Sequence, residues 1–446
     1  MLKTVAACTL GCKVNQYDTE AMLGLFAEKG YEVVDFPAKA DIYIVNTCTV
    51  TNLGSKKSRQ MIRKARGLNP KAIVVAAGCY AQVSPEEVAA INGVNMVLGT
   101  KERGDVVAEV EAYATTRPPV GRAFGHSLYR NVDDVMDETE FENLSVSKPS
   151  GRTRAFLKVQ EGCDRFCAYC IIPYARGPVR SRRTADILAE AEALSKSGFK
   201  EIVLAGIHVA SYGKDLVDKE GGSLTSLIER VHDIEGIERI RLSSVEPTVI
   251  DEPFIETIGR LPKVCDHFHL SLQSGCDNTL KRMNRRYGAA DYAQAAGLLR
   301  RTFPRLSLTT DVMVGFPGET DADFAESIDF IRQMAFAKIH VFPFSPKAGT
   351  PAAAFPNQVP QAVKQARARE TAALDKVLSA RFAASLTGLT LPVLYETEVC
   401  PGVYEGHTTN YVKVTAMAKT VLTGLIAPTR LAAPQAEGDG LRGFVI

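Results

Sequence analysis

The sequence lacks any apolar run long enough to span a membrane. No stretch of the 446 residues reaches the roughly 18 uncharged apolar residues that such a helix needs, so we expect no membrane insertion. It also lacks an excess of charge of either sign. The sequence contains 53 Lys and Arg and 51 Asp and Glu, which gives a formal net charge of +2. That balance excludes a protein that holds nucleic acid by bulk charge alone, and leaves only local basic patches. No secretory signal pattern precedes the cysteines, so we expect a cytoplasmic protein with reduced thiols.

The length predicts about three domains. Residues 1–115 alternate short apolar strands with helical stretches, which predicts a doubly wound α/β domain with a parallel sheet. One helix is predicted at 18–29, with Asp18 as its N-cap and Gly30 as its stop. The strands of this domain are predicted at 3–8, 41–47 and 72–77.

The remaining residues are predicted to form a linker and two further domains. Residues 116–148 carry Pro, Gly and an acidic run, which indicate a linker. Residues 149–380 resume the alternation, and six strand–helix units there predict a partial (β/α)6 barrel with its active edge at the strand C-termini. Residues 381–446 change to β-prone runs between Gly and Pro, which predicts a small all-β barrel. The strands of the partial barrel are predicted at 154–159, 201–205, 238–242, 267–272, 308–314 and 338–342.

One set of three cysteines lies directly after the first strand of the predicted barrel. Cys163, Cys167 and Cys170 are close enough for each thiolate to bind one iron of a [4Fe–4S] cluster. A fourth ligand is missing, so one iron would stay open to substrate. The alternative is a zinc site, but zinc would want a fourth Cys or His nearby, and none follows at close spacing.

A second set of three cysteines is scattered along the first domain. Cys12, Cys48 and Cys79 each follow the carboxyl end of a predicted apolar strand. In an open parallel sheet those ends converge on one edge, where ligands bind. The three thiols would then meet in one place. From topology alone, three unrelated buried cysteines remain an equal alternative.

These motifs resemble the radical S-adenosylmethionine (SAM) methylthiotransferase family along essentially the whole chain. The resemblance is carried by CDRFCAYC at 163–170, and by LGCKVNQYDTE, NTCTVT and AAGCYAQ around the second set. It implies two [4Fe–4S] clusters, one on each cysteine set, and a C-terminal module of the TRAM kind. The segments GIHVASYG, SLQSG and DVMVGFPGE follow strands and resemble the SAM-binding segments of the superfamily. The SAM contacts that we expect from this resemblance are Tyr169, Gly206, Ser243, Gln273, Ser274, Asp311 and Gly315.

The motif wording is most similar to the family members that modify N6-threonylcarbamoyladenosine beside the anticodon of tRNA. Their activity implies two SAM molecules per turnover, one as methyl donor to sulfur and one as source of a 5′-deoxyadenosyl radical. It also implies an electron donor, a sulfur source and a tRNA anticodon stem-loop as partners. The C2–H bond of adenine is not acidic, so radical chemistry suits it. The base would leave the stack to be modified.

Three basic runs are candidates for the tRNA contact. The runs at 176–183 and 281–287 follow strand ends near the predicted active edge, and a third lies at 56–66. Lys and Arg there would pair with phosphates and position the stem-loop. A solvated helix face is the alternative for each run. The cations predicted to bind RNA are Arg176, Arg180, Arg182, Arg183, Lys281, Arg282, Arg285 and Arg286.

Two other functions remain open at this point. The same chemistry on isopentenyladenosine in tRNA or on a ribosomal protein would use the same two cysteine sets. A non-enzymatic iron–sulfur protein that binds RNA or carries electrons would use them without cleaving SAM. Cleavage of SAM therefore separates the enzyme from the binding protein.

Overall fold

The computed structural model describes residues 3–101, 103–116, 129–146, 153–216, 222–434 and 440–446. They form two compact units. The first unit comprises Met1–Ser150, Lys158–Asp186 and Ser345–Ala353, and the second comprises Gly151–Leu157, Ile187–Phe344 and Ala354–Ile446. The predicted domain bounds differ from this division, since 158–186 group with the N-terminal residues, and those bounds remain predictions. No helix among the described residues combines the length and the apolar character needed to cross a membrane.

The first unit is built on a six-stranded parallel sheet in the order β2-β1-β3-β4-β5-β6. Its last strand lies inside the segment predicted to be a linker, so part of that segment belongs to the sheet. The strands are β1 Thr4–Thr9, β2 Glu32–Val33, β3 Ile42–Thr47, β4 Ile73–Gly78, β5 Met96–Leu98 and β6 Tyr129–Asn131. The helices are α1 Lys13–Glu28, α2 Asn52–Leu68, α3 Cys79–Val83, α4 Pro85–Ala89 and α5 Val106–Thr116.

Alternate apolar side chains of the central strands pack into two hydrophobic cores, one on each face of the sheet. Ile42 and Ile44 of β3 pack into one core, while Tyr43 and Val45 pack into the other. All four are fully buried. Because successive side chains of a strand point to opposite faces, a strand that is apolar throughout must be covered on both sides. The doubly wound parallel domain predicted from the sequence is therefore confirmed.

The first helix begins earlier than predicted. It starts at Lys13, directly after Cys12, and continues to the turn at Gly30, whose φ of +84° no β-carbon-bearing residue adopts readily. The prediction of Asp18 as its N-cap is wrong. Asp18 is buried within the helix because it pairs with cations distant in sequence, described below.

The second unit contains a partial barrel of parallel strands. Strand β9 pairs in parallel with β10, and β12 pairs in parallel with both β11 and β13. A parallel bridge between Val245, after β10, and Leu270, after β11, links these two sets of strands. Strand β7 Arg154–Glu161 begins in the second unit, where it lies beside β9, and its residues from Lys158 onward are counted with the first unit. Strand β8 Arg180–Ser181, antiparallel to β7, and helix α6 Ile172–Arg176 belong to the first unit, and helix α7 Thr184–Lys196 begins there. The remaining strands of the second unit's sheets are β9 Glu201–Gly206, β10 Arg239–Leu242, β11 His267–His269, β12 Ser307–Val314 and β13 Lys338–Pro343. Its other helices are α8 Leu224–His232, α9 Glu252–Ile258, α10 Asp277–Arg282, α11 Ala289–Thr302, α12 Asp321–Met334 and α13 Gln361–Ser385.

A closed five-stranded barrel ends the chain, as predicted. Its strands run in the order β14-β15-β16-β18-β17 around a core that includes Val393 and Tyr395. The barrel packs on β10, since Arg239 donates hydrogen bonds to the carbonyls of His407 at 3.0 Å and Pro392 at 2.7 Å. Its strands are β14 Thr390–Cys400, β15 Val403–Thr408, β16 Lys413–Met417, β17 Ile426–Pro434 and β18 Leu441–Val445.

Candidate functional site

Three adjacent parallel strands deliver the first three cysteines to one edge of the N-terminal sheet. Cys48 and Cys79 are the residues that directly follow β3 and β4, and Cys12 precedes α1 just beyond β1. The strand order β1-β3-β4 makes the three ends neighbours. Cys79 is buried, Cys48 is half-buried and Cys12 is exposed.

Short contacts hold these strand ends together. A Cβ placed on Gly11 would lie 3.1 Å from the Cys48 Sγ, and the φ of Gly11 is +107°. The Asn15 amide nitrogen donates to the carbonyls of Leu10 at 2.7 Å and Thr47 at 3.0 Å. The Cys79 Sγ lies 3.8 Å from the Asn15 carbonyl oxygen. Asn15 thus ties all three loops to one point.

A buried ion network lies beside this edge, inside the first unit. Arg176 has no exposed surface, and one of its terminal nitrogens lies 2.9 Å from both Asp18 Oδ2 and Glu161 Oε2. Arg103 lies 2.5 Å from Asp18, and Lys158 lies 2.8 Å from Asp18 and 2.5 Å from Glu161. The Arg176 Nε donates to the Cys79 Sγ at 3.2 Å. The network therefore ends on a cysteine sulfur.

The charges of this network set the ionisation of the edge. Burial raises the pKa of Asp18, but Arg103, Lys158 and Arg176 outweigh it and hold that pKa below its ordinary value. Burial raises the pKa of the Cys79 thiol to about 11, against the opposing charge of Arg176. Without a further positive group, Cys79 therefore stays protonated at neutral pH, whereas a metal would convert it to the thiolate.

The second three cysteines lie in one loop that belongs to the same unit. The loop follows β7 and is closed by a hydrogen bond from the Cys163 nitrogen to the Gly177 carbonyl at 3.0 Å. The Cys170 nitrogen donates to the Cys167 carbonyl at 2.9 Å. Cys167 is buried, while Cys163 and Cys170 are half-buried. Helix α6 follows, and Arg176 is its last residue.

Each set supplies three thiols, the donor type that a [4Fe–4S] cluster takes. Among the residues that the structure describes, no three His, Cys, Asp or Glu side chains converge closely enough to hold one metal ion. A [4Fe–4S] cluster spreads its thiolate ligands over separate irons, so its ligands need not meet at one point. The guanidinium on the Cys79 sulfur supplies positive charge for an anionic group there.

The residues expected to bind SAM lie mostly along one strand edge of the second unit. Gly206 ends β9, Ser243 follows β10, and Gly315, with φ of +71°, follows β12. Gln273 has a φ of +70°, and its backbone bonds to Asp311 and Met313 across β12.

Three further residues complete that set. Asp311 lies within β12, where its carboxylate is 3.3 Å from His269. Ser274 is buried, and its hydroxyl accepts a hydrogen bond from the Cys276 nitrogen. Tyr169 is half-buried and lies in the cysteine loop of the first unit. That these residues contact SAM remains a prediction.

Three of the cations predicted to bind RNA, Arg176, Arg180 and Arg182, are buried, and a fourth, Arg285, is half-buried, so the structure does not place them on an open RNA-binding surface. Arg176 belongs to the ion network, and Arg180 donates to the Arg176 carbonyl at 2.9 Å. Arg182 donates to Asn143 at 2.9 Å, and Arg285 pairs with Glu246 at 2.9 Å. A side chain with so little exposed surface offers little to a phosphate in solution.

The other predicted cations reach the surface. Arg183, Lys281 and Arg286 are exposed, while Arg282 is one-third exposed and pairs with Asp323 at 3.0 Å. The third basic run forms a continuous exposed stripe on α2, which we call the α2 stripe. The α2 stripe consists of Lys56, Lys57, Arg63 and Lys64.

The ion network was missed in the sequence. Lys158 and Glu161 are charged residues within an otherwise buried strand, which is the signal that could have revealed it. Lys347, also missed, places its Nζ 3.0 Å from the Ser55 hydroxyl near the start of α2.

Two family models match the chain. The model described as uncharacterized protein family UPF0004 matches residues 4–99, and the radical SAM superfamily model matches residues 157–331. This is therefore a radical SAM enzyme, for which SAM and a [4Fe–4S] cluster are implied.

Two curated relatives narrow the family. Threonylcarbamoyladenosine tRNA methylthiotransferase MtaB of Bacillus subtilis is 41% identical, over 99% of this chain and 97% of that protein. The tRNA-2-methylthio-N(6)-dimethylallyladenosine synthase of Moorella thermoacetica is 34% identical, over 97% of this chain and 96% of that protein. The chain belongs to the radical SAM methylthiotransferase family, as its motifs predicted.

Solved structures support the fold. The radical SAM methyltransferase TsrM of Kitasatospora setae superimposes with a TM-score of 0.59, at 15% identity, over 91% of this chain and 81% of that one. At that identity the likeness concerns the fold alone, and it confirms the predicted α/β architecture.

Proposed function

We propose that this enzyme converts N6-threonylcarbamoyladenosine beside the anticodon of tRNA to its 2-methylthio derivative. The near full-length match to a relative named for that substrate supports the choice. The observation that carries the chemistry is the placement of two three-cysteine sets in one compact unit, joined through Arg176. An enzyme that moves sulfur and generates a radical needs both centres in one body.

The two cysteine sets would hold two clusters. Cys163, Cys167 and Cys170 would hold the cluster that would supply the electron for SAM cleavage. Cys12, Cys48 and Cys79 hold an auxiliary cluster. Glycines at the strand ends would let the backbone approach SAM closely. The residues that would bind SAM are the predicted ones: Tyr169, Gly206, Ser243, Gln273, Ser274, Asp311 and Gly315. We further propose two SAM molecules per turnover, an external electron donor and a separate sulfur source.

The RNA-binding surface would consist of the cations that the structure leaves exposed. The α2 stripe carries four of them on one helix face without an intervening acid. Arg183, Lys281 and Arg286 supply further phosphate contacts. The C-terminal barrel would be a TRAM domain that adds RNA affinity, since small β-barrels commonly bind single-stranded RNA. A tRNA substrate places the reaction in the cytoplasm.

The decisive test is mass spectrometry of tRNA nucleosides from a deletion strain. Loss of 2-methylthio-N6-threonylcarbamoyladenosine, restored by the intact gene but not by a Cys163→Ala copy, supports the proposal. Loss of the 2-methylthio-isopentenyl nucleoside instead would support the second candidate, which the 34% identical relative keeps open. Unchanged tRNA with an altered ribosomal protein would overturn both.

A second assay excludes the binding-protein alternative. Anaerobically reconstituted protein is incubated with dithionite, SAM, sulfide and an anticodon stem-loop that carries N6-threonylcarbamoyladenosine. We expect 5′-deoxyadenosine and a methylthiolated product. Intact SAM after reduction of the clusters would refute an enzymatic role.

A further inference from the structure

We propose that Arg176 is a positioning residue that holds the Cys79 sulfur and raises the reduction potential of the auxiliary cluster. The inference rests on the proposed function, because it needs a cluster at Cys12, Cys48 and Cys79. Arg176 was predicted from the sequence to bind RNA, whereas the structure places it in the interior.

The guanidinium is fixed on all sides. Its Nε donates to the Cys79 Sγ at 3.2 Å. One terminal nitrogen bridges Asp18 and Glu161, each at 2.9 Å, and the other donates to the Asn15 side chain. Because every nitrogen has a partner, the direction of the N–H bond toward the sulfur is set by the fold.

The charge count shows which cation lacks a carboxylate of its own. The fully buried part of the network contains two acids, Asp18 and Glu161, and three cations, Arg103, Lys158 and Arg176. Including the border residues Glu138, Glu142, Lys101 and Arg180 leaves the same excess of one positive charge. A buried charge needs a counter-charge or it is severely destabilising.

Arg176 is the cation that faces the cysteines. Arg103 and Lys158 both contact the two acids, so those acids keep two partners without Arg176. The thiolates and the cluster they would hold are then the natural counter-charge for Arg176. A cation and an N–H···S hydrogen bond both favour the more negative, reduced state of a cluster, so its potential rises.

The position of Arg176 in the chain adds a second consequence. It ends the helix that directly follows the Cys163–Cys170 loop, and the Gly177 carbonyl closes that loop on Cys163. The residue that touches one cysteine set is therefore anchored by the loop that carries the other. Displacement of the loop would move the hydrogen bond on Cys79.

The test isolates the auxiliary cluster in the full chain. Cys163, Cys167 and Cys170 are changed to Ala, which leaves one expected cluster, and its potential is measured by redox titration followed by EPR. Arg176→Met is expected to lower the potential. The potential of Arg176→Lys is expected to lie between those of the parent and Arg176→Met, because Lys keeps the positive charge but not the planar guanidinium. The control is Arg103→Met, which removes a cation from the same network without touching a sulfur.

Each outcome decides between the two proposals. An unchanged potential in Arg176→Met, or an equal shift in Arg103→Met, overturns the inference. If Arg176→Met does not fold or load iron, Arg176→Lys decides: a lowered potential supports the inference and the parent value overturns it. If the parent with only Cys12, Cys48 and Cys79 binds no iron, the auxiliary site itself is refuted.

Discussion

Gly11 lies so close to the side chain of Cys48 that a methyl group on residue 11 would have to displace it by a few tenths of an ångström. A Cβ on residue 11 would lie 3.1 Å from both the Cβ and the Sγ of Cys48. The backbone there has a φ of +107°, which L-residues with a side chain rarely adopt. This contact sets the spacing between two of the proposed ligands of the auxiliary cluster.

Gly11→Ala should therefore remove the auxiliary cluster while the fold persists. The added methyl would push Cys48 away from Cys12, and we expect iron to fall from about eight to about four atoms per chain. Iron and sulfide analysis of anaerobically purified protein measures this. The control is Gly24→Ala in α1, where nothing lies within 4 Å of the added carbon. Full iron in Gly11→Ala would contradict the proposed ligand geometry.

The two cysteine sets should lose iron independently. Replacing Cys12, Cys48 and Cys79 by Ala should leave about four irons and an intact SAM-cleavage reaction, but no methylthiolated product. Replacing Cys163 by Ala should abolish 5′-deoxyadenosine. Cys400, exposed and remote from both sets in sequence, provides the control, since Cys400→Ala should keep all the iron. Product formation by the first variant would refute the role of the auxiliary site.

Charge reversal on the α2 stripe should weaken tRNA binding without affecting the clusters. Lys57 and Lys64 are exposed on the same face of α2, about one and about three turns beyond its start at Asn52. Losing two phosphate contacts should reduce the slope of log affinity against log salt by about two. Fluorescence anisotropy with an anticodon stem-loop at several salt concentrations measures this for Lys57→Glu with Lys64→Glu. Lys376→Glu with Arg381→Glu on α13 is the matched control. An equal loss of affinity in that variant would show that the α2 stripe is not a specific tRNA contact.

The strand ends were predictable from sequence, whereas the buried ion network was not. A run such as IYIVNT is apolar at both faces, so its burial and its carboxyl end follow from local pattern, and Cys48 is placed by it. Arg176 lies in a run of four arginines, which by composition belongs on a surface. Its partners Asp18 and Cys79 are 158 and 97 residues away in the chain. Only the tertiary fold brings such a charge and its counter-charge together.

Tyr411 should control the docking of the C-terminal barrel on the second unit's sheet. Its ring lies 4.7 Å from the Arg241 guanidinium and 5.0 Å from that of Arg154, and it stacks on His407 at 4.7 Å. Its φ of +65° is left-handed, so Tyr411→Asn removes the ring while keeping a residue that tolerates this backbone.

Loss of two cation–π contacts should cost about 1–3 kcal/mol of docking free energy. We expect faster proteolytic release of the barrel from Tyr411→Asn, measured by limited proteolysis with mass spectrometry. Tyr404→Asn, in the barrel's own core, should unfold the barrel instead and is distinguished by its circular dichroism. Parent-like proteolysis of Tyr411→Asn would show that the hydrogen bonds of Arg239 and Arg241 to the barrel backbone suffice.

The ion network should make the stability of the cluster-free protein depend on pH in acid. Both Asp18 and Glu161 have folded pKa values held below their ordinary values by the buried cations, against the effect of burial. Their contribution to the free energy of unfolding is therefore complete above the unfolded pKa values of about 4, and it is lost as the pH falls from there toward the folded values.

Asp18→Asn, which leaves buried cations underpaired, should cost about 3–5 kcal/mol of stability at pH 7. Calorimetry from pH 7 to pH 3 should show its Tm deficit shrinking below about pH 4, as the parent loses the same ionisation. Asp329→Asn, at an exposed ion pair on α12, should show no deficit at any pH, and a constant deficit for Asp18→Asn would mean that the carboxylate charge is not what stabilises the network.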